Sequence, residues 1–282
     1  MGYVVIVAAI NLLLFGHNIN QVSGCSLDQE YRNTSATYYD LDYANGACSF
    51  GNLYGTTAPG TPYITALSEV WYNNGTNCGD CLEVYSPYTN RTIVVYVTDL
   101  CPIEGNPVCD RPYHLDLSQA AFVQLGNKSQ GYLENLRWRK VTCGNMPTSG
   151  VGVKMMKGSN YSWSAFLIFN SKVGIKSVDI QLANSTSFTK LKRADYNPFI
   201  SINDHSKGPF TLRITSDLNE SILVTIPKVV EDTVVFSNNQ FNTSDCINGQ
   251  MYISKYSSGS TLLPNIIITL LVLILSSLLI IA

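Results

Sequence analysis

The chain carries little charge. Asp, Glu, Lys and Arg together make up 13% of its 282 residues, and the net charge is only −2, whereas charged residues usually supply about a quarter of a globular protein. Nucleic-acid binding and steering of charged substrates both need a concentrated electric field, so this composition argues against them. A neutral partner that is rich in hydroxyl groups fits the surface better, and we expect neither a nucleic-acid partner nor a cofactor.

The sequence also lacks the pattern of a metal site. Cys78 and Cys81 form one closely spaced pair, but no second such pair with His accompanies it, as a structural zinc site would require. Eight cysteines in an exported chain indicate disulfide bonds instead. Spacing alone leaves many connectivities open, so the pairing is not assigned from it.

Both ends of the chain are apolar, and the N-terminal end is typical of a secretory signal. No basic residue precedes the apolar run Tyr3–Phe15, but its length fits, and residues 1–24 are predicted to be removed after Gly24. The stretch from Val22 to Cys25 also matches a bacterial lipoprotein cleavage box. We rank that interpretation second because of the glycosylation signals described below.

The C-terminal residues 266–282 carry no charge and are just long enough to span a bilayer. Small residues at 257–260 precede them, an order typical of a lipid-anchor signal whose tail is removed. A single-pass helix is the alternative, but the absence of Lys or Arg after the segment favours the anchor. Either interpretation predicts a membrane-attached protein whose globular part faces the outside of the cell, joined by a stalk over residues 242–265.

Asn-x-Ser/Thr glycosylation signals are frequent. They indicate a glycosylating secretory route, and they predict that each of these Asn side chains lies at the surface. They occur at Asn33, Asn74, Asn90, Asn127, Asn160, Asn184, Asn219 and Asn242.

Short β-prone runs and glycine-rich loops fill residues 25–146, which we predict to form one domain. The run Thr92–Thr98 is rich in β-branched and aromatic residues, and Leu117–Leu125 has the apolar spacing of a short helix closed by Gly126. The six central cysteines all lie here. Many short strands and several cysteines together predict a disulfide-stapled β-barrel, and residues 147–150 are predicted to be a linker.

A different pattern begins at residue 151. Short apolar runs separated by Asn, Ser, Gly and Pro continue to residue 241, and in Phe210–Thr215 apolar residues alternate with polar ones, as in a half-buried strand. Such a series of strands predicts a β-sandwich. No cysteine lies between residues 151 and 241, so this domain must be stabilised by its apolar core alone.

Several motifs occur in the order and spacing of one known family. They are Gly46–Leu53, Asn77–Val84, Thr98–Pro102, His114–Ser118 and Val141–Cys143, with looser matches at Lys157–Ala165 and Ala194–Asn197. On these motifs, residues 37–241 resemble the expansins. The resemblance implies an all-β fold, a six-stranded double-psi β-barrel followed by an immunoglobulin-like β-sandwich. It also implies a protein that binds cellulose or related neutral β-glucans and loosens their non-covalent contacts without hydrolysis.

The resemblance further implies two polysaccharide-binding surfaces. The first is a polar groove of the barrel, called the groove below, with the residues Thr37, Tyr39, Asp99 and Asp116. The second is an aromatic platform of the sandwich, called the platform below, with the residues Tyr161, Trp163 and Tyr196. Aromatic rings stack on the C–H faces of sugars. Ser162 stands where many relatives have an aromatic residue, and Tyr161 beside it would compensate.

Two alternatives belong to other functional classes. Inverting endoglucanases share this barrel, and Asp116 matches their general acid, while Asp40 resembles their base. Such an acid must be protonated near neutrality, which burial or the nearby Asp99 can achieve. Hydrolysis requires Asp40 to face the groove about 6.5–9.5 Å from Asp116, and otherwise Asp40 is an ordinary turn residue. The other alternative is an anchored module that only attaches the cell to a glycan matrix.

The cysteine pairs are also implied by the resemblance. They are Cys48–Cys78, Cys81–Cys143 and Cys101–Cys109, which leaves Cys25 and Cys246 as a further pair across the two ends. Lys154 and Lys157 are either donors to sugar hydroxyls or ordinary surface charges, and the sequence does not distinguish these roles.

Overall fold

The structure is a computed structural model that describes residues 25–40, 46–144, 149–202, 208–243, 246–247 and 250–251. The predicted signal peptide, the apolar C-terminal segment, most of the predicted stalk and half of the predicted linker lie outside these residues. No helix within the described ranges is both long enough and apolar enough to cross a membrane.

The first part of the chain forms a closed six-stranded barrel. Its strands are β1 (Arg32–Tyr39), β2 (Ile64–Ser68), β3 (Cys81–Ser86), β4 (Arg91–Cys101), β5 (Leu115–Ser118) and β6 (Leu133–Val141). They close in the order β1-β5-β2-β4-β3-β6. The pairs β1–β5 and β2–β4 are parallel and the others are antiparallel. The predicted all-β class with a six-stranded barrel is therefore confirmed.

Two short helices complete the barrel, α1 (Glu69–Tyr72) and α2 (Gln119–Leu125). The helix predicted from Leu117 was wrong at its start, because α2 begins two residues later. Leu117 stays in β5, where it pairs with both β1 and β2. The hydroxyl of Ser118 accepts a hydrogen bond from the backbone N–H of Ala121 at 3.2 Å, and this N-cap fixes the boundary.

The barrel is filled by apolar side chains that the alternating strands direct inward. Trp138 of β6 is fully buried, and Trp71 of α1 packs on it edge to face, with ring centroids 5.1 Å apart. Trp71 itself is only half-buried, so only part of its ring belongs to the core. The other large buried residues of this core include Ile64, Leu67, Leu115, Leu117, Phe122, Leu125, Leu133 and Leu136.

The second part of the chain forms two sheets. Their strands are β7 (Gly152–Met155), β8 (Ser164–Phe169), β9 (Ile175–Leu182), β10 (Thr189–Lys190), β11 (Lys192–Arg193), β12 (Phe199–Ser201), β13 (Phe210–Ser216), β14 (Ser221–Ile226) and β15 (Val234–Phe236). The sheet orders are β10-β9-β13-β14 and β11-β12-β8-β7-β15. In β13 every second residue is buried, as the sequence alternation predicts. Two further short strands, β16 (Cys246–Ile247) and β17 (Gln250–Met251), pair with each other.

Disulfide bonds cross-link loops and strands of the barrel. The bonded pairs are Cys48–Cys78, Cys81–Cys143 and Cys101–Cys109, the same three that the family resemblance implies. Cys25 is disulfide-bonded as well. Its predicted pairing with Cys246 involves a side chain that lies outside the described part of the chain.

Barrel and sandwich are joined by a buried ionic cluster. Lys140 of β6 lies with its Nζ 2.7 Å from Asp80 Oδ2 and also donates to Asp217, which follows β13. Asp80 is 3% exposed. Arg193 of β11 donates to the backbone carbonyls of Gly75 and Thr76 in the barrel at 2.8 and 2.6 Å. Charged groups buried in this way are tolerated only when they are paired.

Candidate functional site

The strand register brings the polar groove residues together. Thr37 of β1 pairs with Asp116 of β5, and Asp116 pairs in turn with Ala66 of β2. On its other edge Ala66 pairs with Asp99 of β4. The two carboxylates therefore flank one small residue, with their backbones two strand spacings or about 10 Å apart. The two carboxyl groups therefore belong to an open polar surface and do not form a directly paired set of acids.

Asp99 is held by the chain segment that precedes the first disulfide. Its Oδ1 accepts hydrogen bonds from the backbone N–H of Ala47 at 2.6 Å and of Leu100 at 2.8 Å. Gly46 lies so close that a Cβ atom there would come within 2.5 Å of the Thr98 carbonyl and 2.9 Å of the Asp99 carboxyl carbon. The glycine of the Gly46–Leu53 motif thus leaves the space that the Asp99 side chain occupies.

Asp116 belongs to a hydrogen-bonded group. The hydroxyl of Thr37 donates to Asp116 Oδ1 at 2.7 Å, and Thr37 Oγ1 lies 2.9 Å from Nε2 of His114. The Nδ1 atom of the same imidazole lies 2.9 Å from Oγ of Ser35. His114 immediately precedes β5 and is fully buried. Both ring nitrogens are therefore satisfied by hydroxyls of one neighbouring strand.

Burial raises the pKa of both carboxyls. For Asp116 burial is the largest cause, the hydrogen bond from Thr37 opposes it, and the charge of Asp99 adds to it. For Asp99 burial outweighs the hydrogen bonds from the backbone N–H groups of Ala47 and Leu100. A carboxyl with a raised pKa spends more time as a neutral acid that can donate a hydrogen bond.

Tyr39 lies beside this group. Burial, followed by the charge of Asp99 and then that of Asp116, raises the pKa of its phenol, so the hydroxyl stays neutral. Its Oη is buried next to Thr98 Oγ1, and neither atom makes a hydrogen bond of ordinary geometry with the described residues. Both hydroxyl oxygens are buried, so neither is exposed to a ligand in the groove.

Asp40 is placed differently from the other candidates. It follows the last residue of β1 and is exposed. It makes no hydrogen bond or ion pair with the part of the chain that the structure describes, whereas Thr37, Asp99 and Asp116 are each held by strands and hydrogen bonds. The structure therefore does not hold Asp40 in place as it holds the other candidates.

The platform residues lie along one sheet of the sandwich. Tyr161 is 44% exposed and Tyr196 is 46% exposed, whereas Trp163 is half-buried. Trp163 directly precedes β8, whose Ser164 pairs with the last residue of β12, and Tyr196 precedes the first residue of β12 by three positions. The platform is therefore spread between the two ends of the β8–β12 pair, so only a ligand of several sugar rings would contact all of it.

Asn160 builds the turn that carries two of these aromatics. Its Oδ1 accepts hydrogen bonds from the backbone N–H groups of Ser162 at 2.9 Å and Trp163 at 3.2 Å. Ser162, where the resemblance implies an aromatic position, is exposed. Lys154, a candidate donor to sugars, is instead paired with Asp232, with Nζ 2.8 Å from Oδ1, and Lys157 is exposed.

The turn that carries Tyr196 is fastened to the barrel. Ser49 Oγ donates to the Tyr196 carbonyl at 2.8 Å, and Asn197 Nδ2 donates to the Cys48 carbonyl at 3.0 Å. A third bond runs from Tyr72 Oη to the Asp195 carbonyl at 2.7 Å. Since Ala47 holds Asp99, the segment 46–49 contacts the groove on one side and the platform on the other. The two predicted surfaces are thus neighbours.

Other predicted surface features also have defined places. The Asn residues of all eight glycosylation signals are exposed. Among the described residues, no three His, Cys, Asp or Glu side chains are arranged to hold a metal ion.

In the sequence, His114 was noted only as part of a motif, and no role was predicted for His114, Ser35 or Ala66. A signal was present, because Ser35 and Thr37 are two residues apart on one β-prone run and therefore face the same side. The partner, His114, lies 77 residues from Thr37, so the contact depends on a strand pairing that no local pattern reveals.

Comparisons with known proteins agree with this architecture. Residues 2–137 match the family model of the expansin N-terminal domain, and residues 146–242 match that of the expansin-like protein middle domain. Expansin-like protein 1 of Dictyostelium discoideum is 42% identical over 231 residues, which cover 82% of this chain and 79% of the relative. Expansin-like protein 5 of the same organism is 39% identical over 227 residues, covering 80% and 92%.

A solved structure has the same fold. A variant of the Clavibacter michiganensis expansin, crystallised in complex with cellohexaose, matches with a TM-score of 0.64 and 24% identity over 76% of this chain and 98% of that one.

Proposed function

The chain belongs to the expansin family, and from that premise we propose that it binds cellulose or a related neutral β-glucan and loosens it without hydrolysis. The glucan would lie across the groove and the platform together. By separating adjacent glucan chains, the protein would allow microfibrils to move past each other. The proposal includes the predicted setting, an exported protein attached to the membrane by its C-terminal segment, with its domains outside the cell.

The observation that best supports the proposal is the short connection between the groove and the platform. The segment 46–49 donates to Asp99 from Ala47 and to the Tyr196 carbonyl from Ser49. A glucan chain is a ribbon with apolar ring faces and polar edges. An aromatic surface for its faces and a polar floor for its edges, rigidly joined, suit that shape.

The polar floor supplies both kinds of hydrogen-bonding group. Asp99 and Asp116 are half-buried, and their raised pKa values let each act as an acceptor when ionised and as a donor when protonated. The hydroxyl of Tyr39 is buried near both. Because glucan hydroxyls both donate and accept, such groups can replace hydrogen bonds between neighbouring glucan chains. Loosening needs only this exchange of hydrogen bonds, so no covalent step is proposed.

Inverting hydrolysis by Asp116 and Asp40 is the alternative. Asp116 has the raised pKa that a general acid needs. A base, however, must be positioned to activate a water molecule on the opposite face of the sugar, and Asp40 is exposed at the end of β1 with no partner among the described residues. We therefore favour the non-hydrolytic function.

Replacing Trp163 with Ala is expected to weaken binding to insoluble cellulose about two- to tenfold, because stacking on an aromatic ring contributes about 0.5–1.5 kcal/mol beyond the buried area. The fold should persist, since the ring is only half-buried. A pull-down with cellulose, together with circular dichroism of the variant, measures both effects.

Tyr88 is the matched control for the platform. It is 49% exposed in the barrel, and its replacement by Ala should leave cellulose binding unchanged. Unchanged binding of the Trp163→Ala variant, or an equal loss in both variants, would contradict the assignment of the platform.

A further inference from the structure

Four side chains form a continuous hydrogen-bonded chain along one face of β1 and β5. From the groove outward, Asp116 Oδ1 lies 2.7 Å from Thr37 Oγ1, which lies 2.9 Å from His114 Nε2. The chain continues from His114 Nδ1 to Ser35 Oγ over 2.9 Å. His114 and Ser35 are 1% and 7% exposed, so solvent hardly competes for these bonds.

The far end of the chain opens into a separate cavity of about 340 Å³. Ser35 and His114 line it, and neither Asp116 nor Thr37 does. The remaining lining residues are mostly exposed, and they are Asn33, Thr34, Arg111, Pro112, Tyr113, Tyr132, Glu134 and Asn135. The Ser35 hydroxyl thus reaches a solvent-filled space outside the groove.

Each protonation state of Asp116 fits a different order of donors. When Asp116 is ionised, Thr37 donates to it, so the proton of His114 must sit on Nε2 and Ser35 donates to Nδ1. When Asp116 is protonated and donates to Thr37, the Thr37 hydroxyl turns to Nε2. The imidazole then carries its proton on Nδ1 and donates to Ser35.

We propose that His114 is a positioning residue that relays protons between Asp116 and the cavity and changes tautomer as Asp116 changes protonation state. When Asp116 ionises, its proton passes to Thr37, the Thr37 proton passes to Nε2, the Nδ1 proton passes to Ser35, and the Ser35 proton leaves to water in the cavity. One proton moves from the groove to the cavity, and the imidazole is neutral before and after. The benefit of such a relay rests on the proposed function, since a glucan bound in the groove would separate Asp116 from solvent on that side and leave the relay as its route for protons.

The surroundings keep this imidazole neutral. Burial, and then the nearby charge of Arg111, lower the pKa of His114 to about 4, although a hydrogen bond with the backbone of Ser35 opposes them. Tyr132 stacks on the ring with centroids 6.4 Å apart, and Tyr113 and Glu134 are the other titratable groups on this side. On the groove side, the titratable groups that face Asp116 are Asp99 and Tyr39.

The test is nitrogen NMR of the full-length chain with ¹⁵N-labelled histidine. The His114→Gln variant identifies the His114 signals among the three histidines. As the pH falls through the titration of Asp116, the Nδ1 and Nε2 signals of His114 should exchange their protonated and unprotonated chemical shifts. In Thr37→Val, which removes the linking hydroxyl at nearly constant volume, the tautomer should no longer respond to pH.

A His114 tautomer that stays constant over the titration of Asp116, or a ring that becomes doubly protonated over the same range, would overturn the relay. A Thr37→Val variant that still switches tautomer would do the same. The measurement needs no glucan, so a protein that fails to loosen cellulose but switches tautomer would refute the proposed function and leave the relay intact.

Discussion

Replacing Lys140 with Met is expected to lower the free energy of unfolding by about 3–5 kcal/mol at about pH 8, the usual cost of removing one partner of a buried ion pair. The loss should be clearly smaller at about pH 5. Lys140 contacts both Asp80 and Asp217. Its removal leaves Asp80, which is 3% exposed, without its cation.

The pH dependence follows from Asp80. Burial is the main cause that raises its pKa to about 6, and Lys140 partly offsets it. A carboxyl whose folded pKa is raised contributes most to stability below its unfolded pKa, and this contribution is lost as the pH rises through the folded value. Without Lys140 the pKa of Asp80 rises further. The variant therefore loses more stability than the wild type as the pH rises from about 5 to 8.

Urea unfolding followed by tryptophan fluorescence at the two pH values measures this difference. Lys154→Met is the control, because its partner Asp232 is largely exposed and an exposed pair contributes little. An equal loss for Lys140→Met at both pH values, or a loss as small as that of the control, would contradict the role of the buried cluster.

Replacing Asp116 with Asn should reduce the weakening of a cellulose composite roughly tenfold or more, because hydrogen bonds of charged groups contribute about 1.5–3 kcal/mol. The amide keeps its acceptor for Thr37 but cannot titrate. Stability at about pH 7 should be retained, because the raised pKa of Asp116 means that its charge does not stabilise the folded state above the unfolded pKa. Extension of the composite under constant load and thermal unfolding measure the two effects.

Asp110 is the matched control for this variant. It is an exposed carboxylate in the connection between β4 and β5, the strands that carry Asp99 and Asp116. Asp110→Asn should loosen the composite as well as the wild type does. Full activity of Asp116→Asn, or inactivity that merely follows loss of the fold, would remove Asp116 from the proposed mechanism.

The sequence predicts the fold class well because its signals are local. The alternation in β13 and the β-branched run in β4 are read directly from neighbouring residues. The helix α2 was found, although its start was misplaced, because Leu117 satisfies both a helical and a strand pattern and only the Ser118 cap decides between them. The cysteine pairs needed the family resemblance, since spacing leaves them open.

The groove could be predicted only as a set of residues. Its geometry depends on the strand order β1-β5-β2-β4, which inserts Ala66 of β2 between Asp99 of β4 and Asp116 of β5. For the same reason, the contact between His114 and Thr37 could not be predicted from the sequence. Nor could the contact of Lys140 with Asp217, which is 77 residues away. Periodicity reports on neighbours along the chain and says nothing about such contacts.

The central claim is that the protein loosens glucan without cutting it. Its most direct test measures the extension of a cellulose composite under load and the release of reducing sugar ends in the same sample, with soluble β-glucan assayed alongside. We expect increased extension with no sugar release from either substrate. Reducing ends that appear with the extension, and disappear in both Asp116→Asn and Asp40→Asn, would establish hydrolysis and contradict the non-hydrolytic function. Binding without any extension would leave only an attachment module.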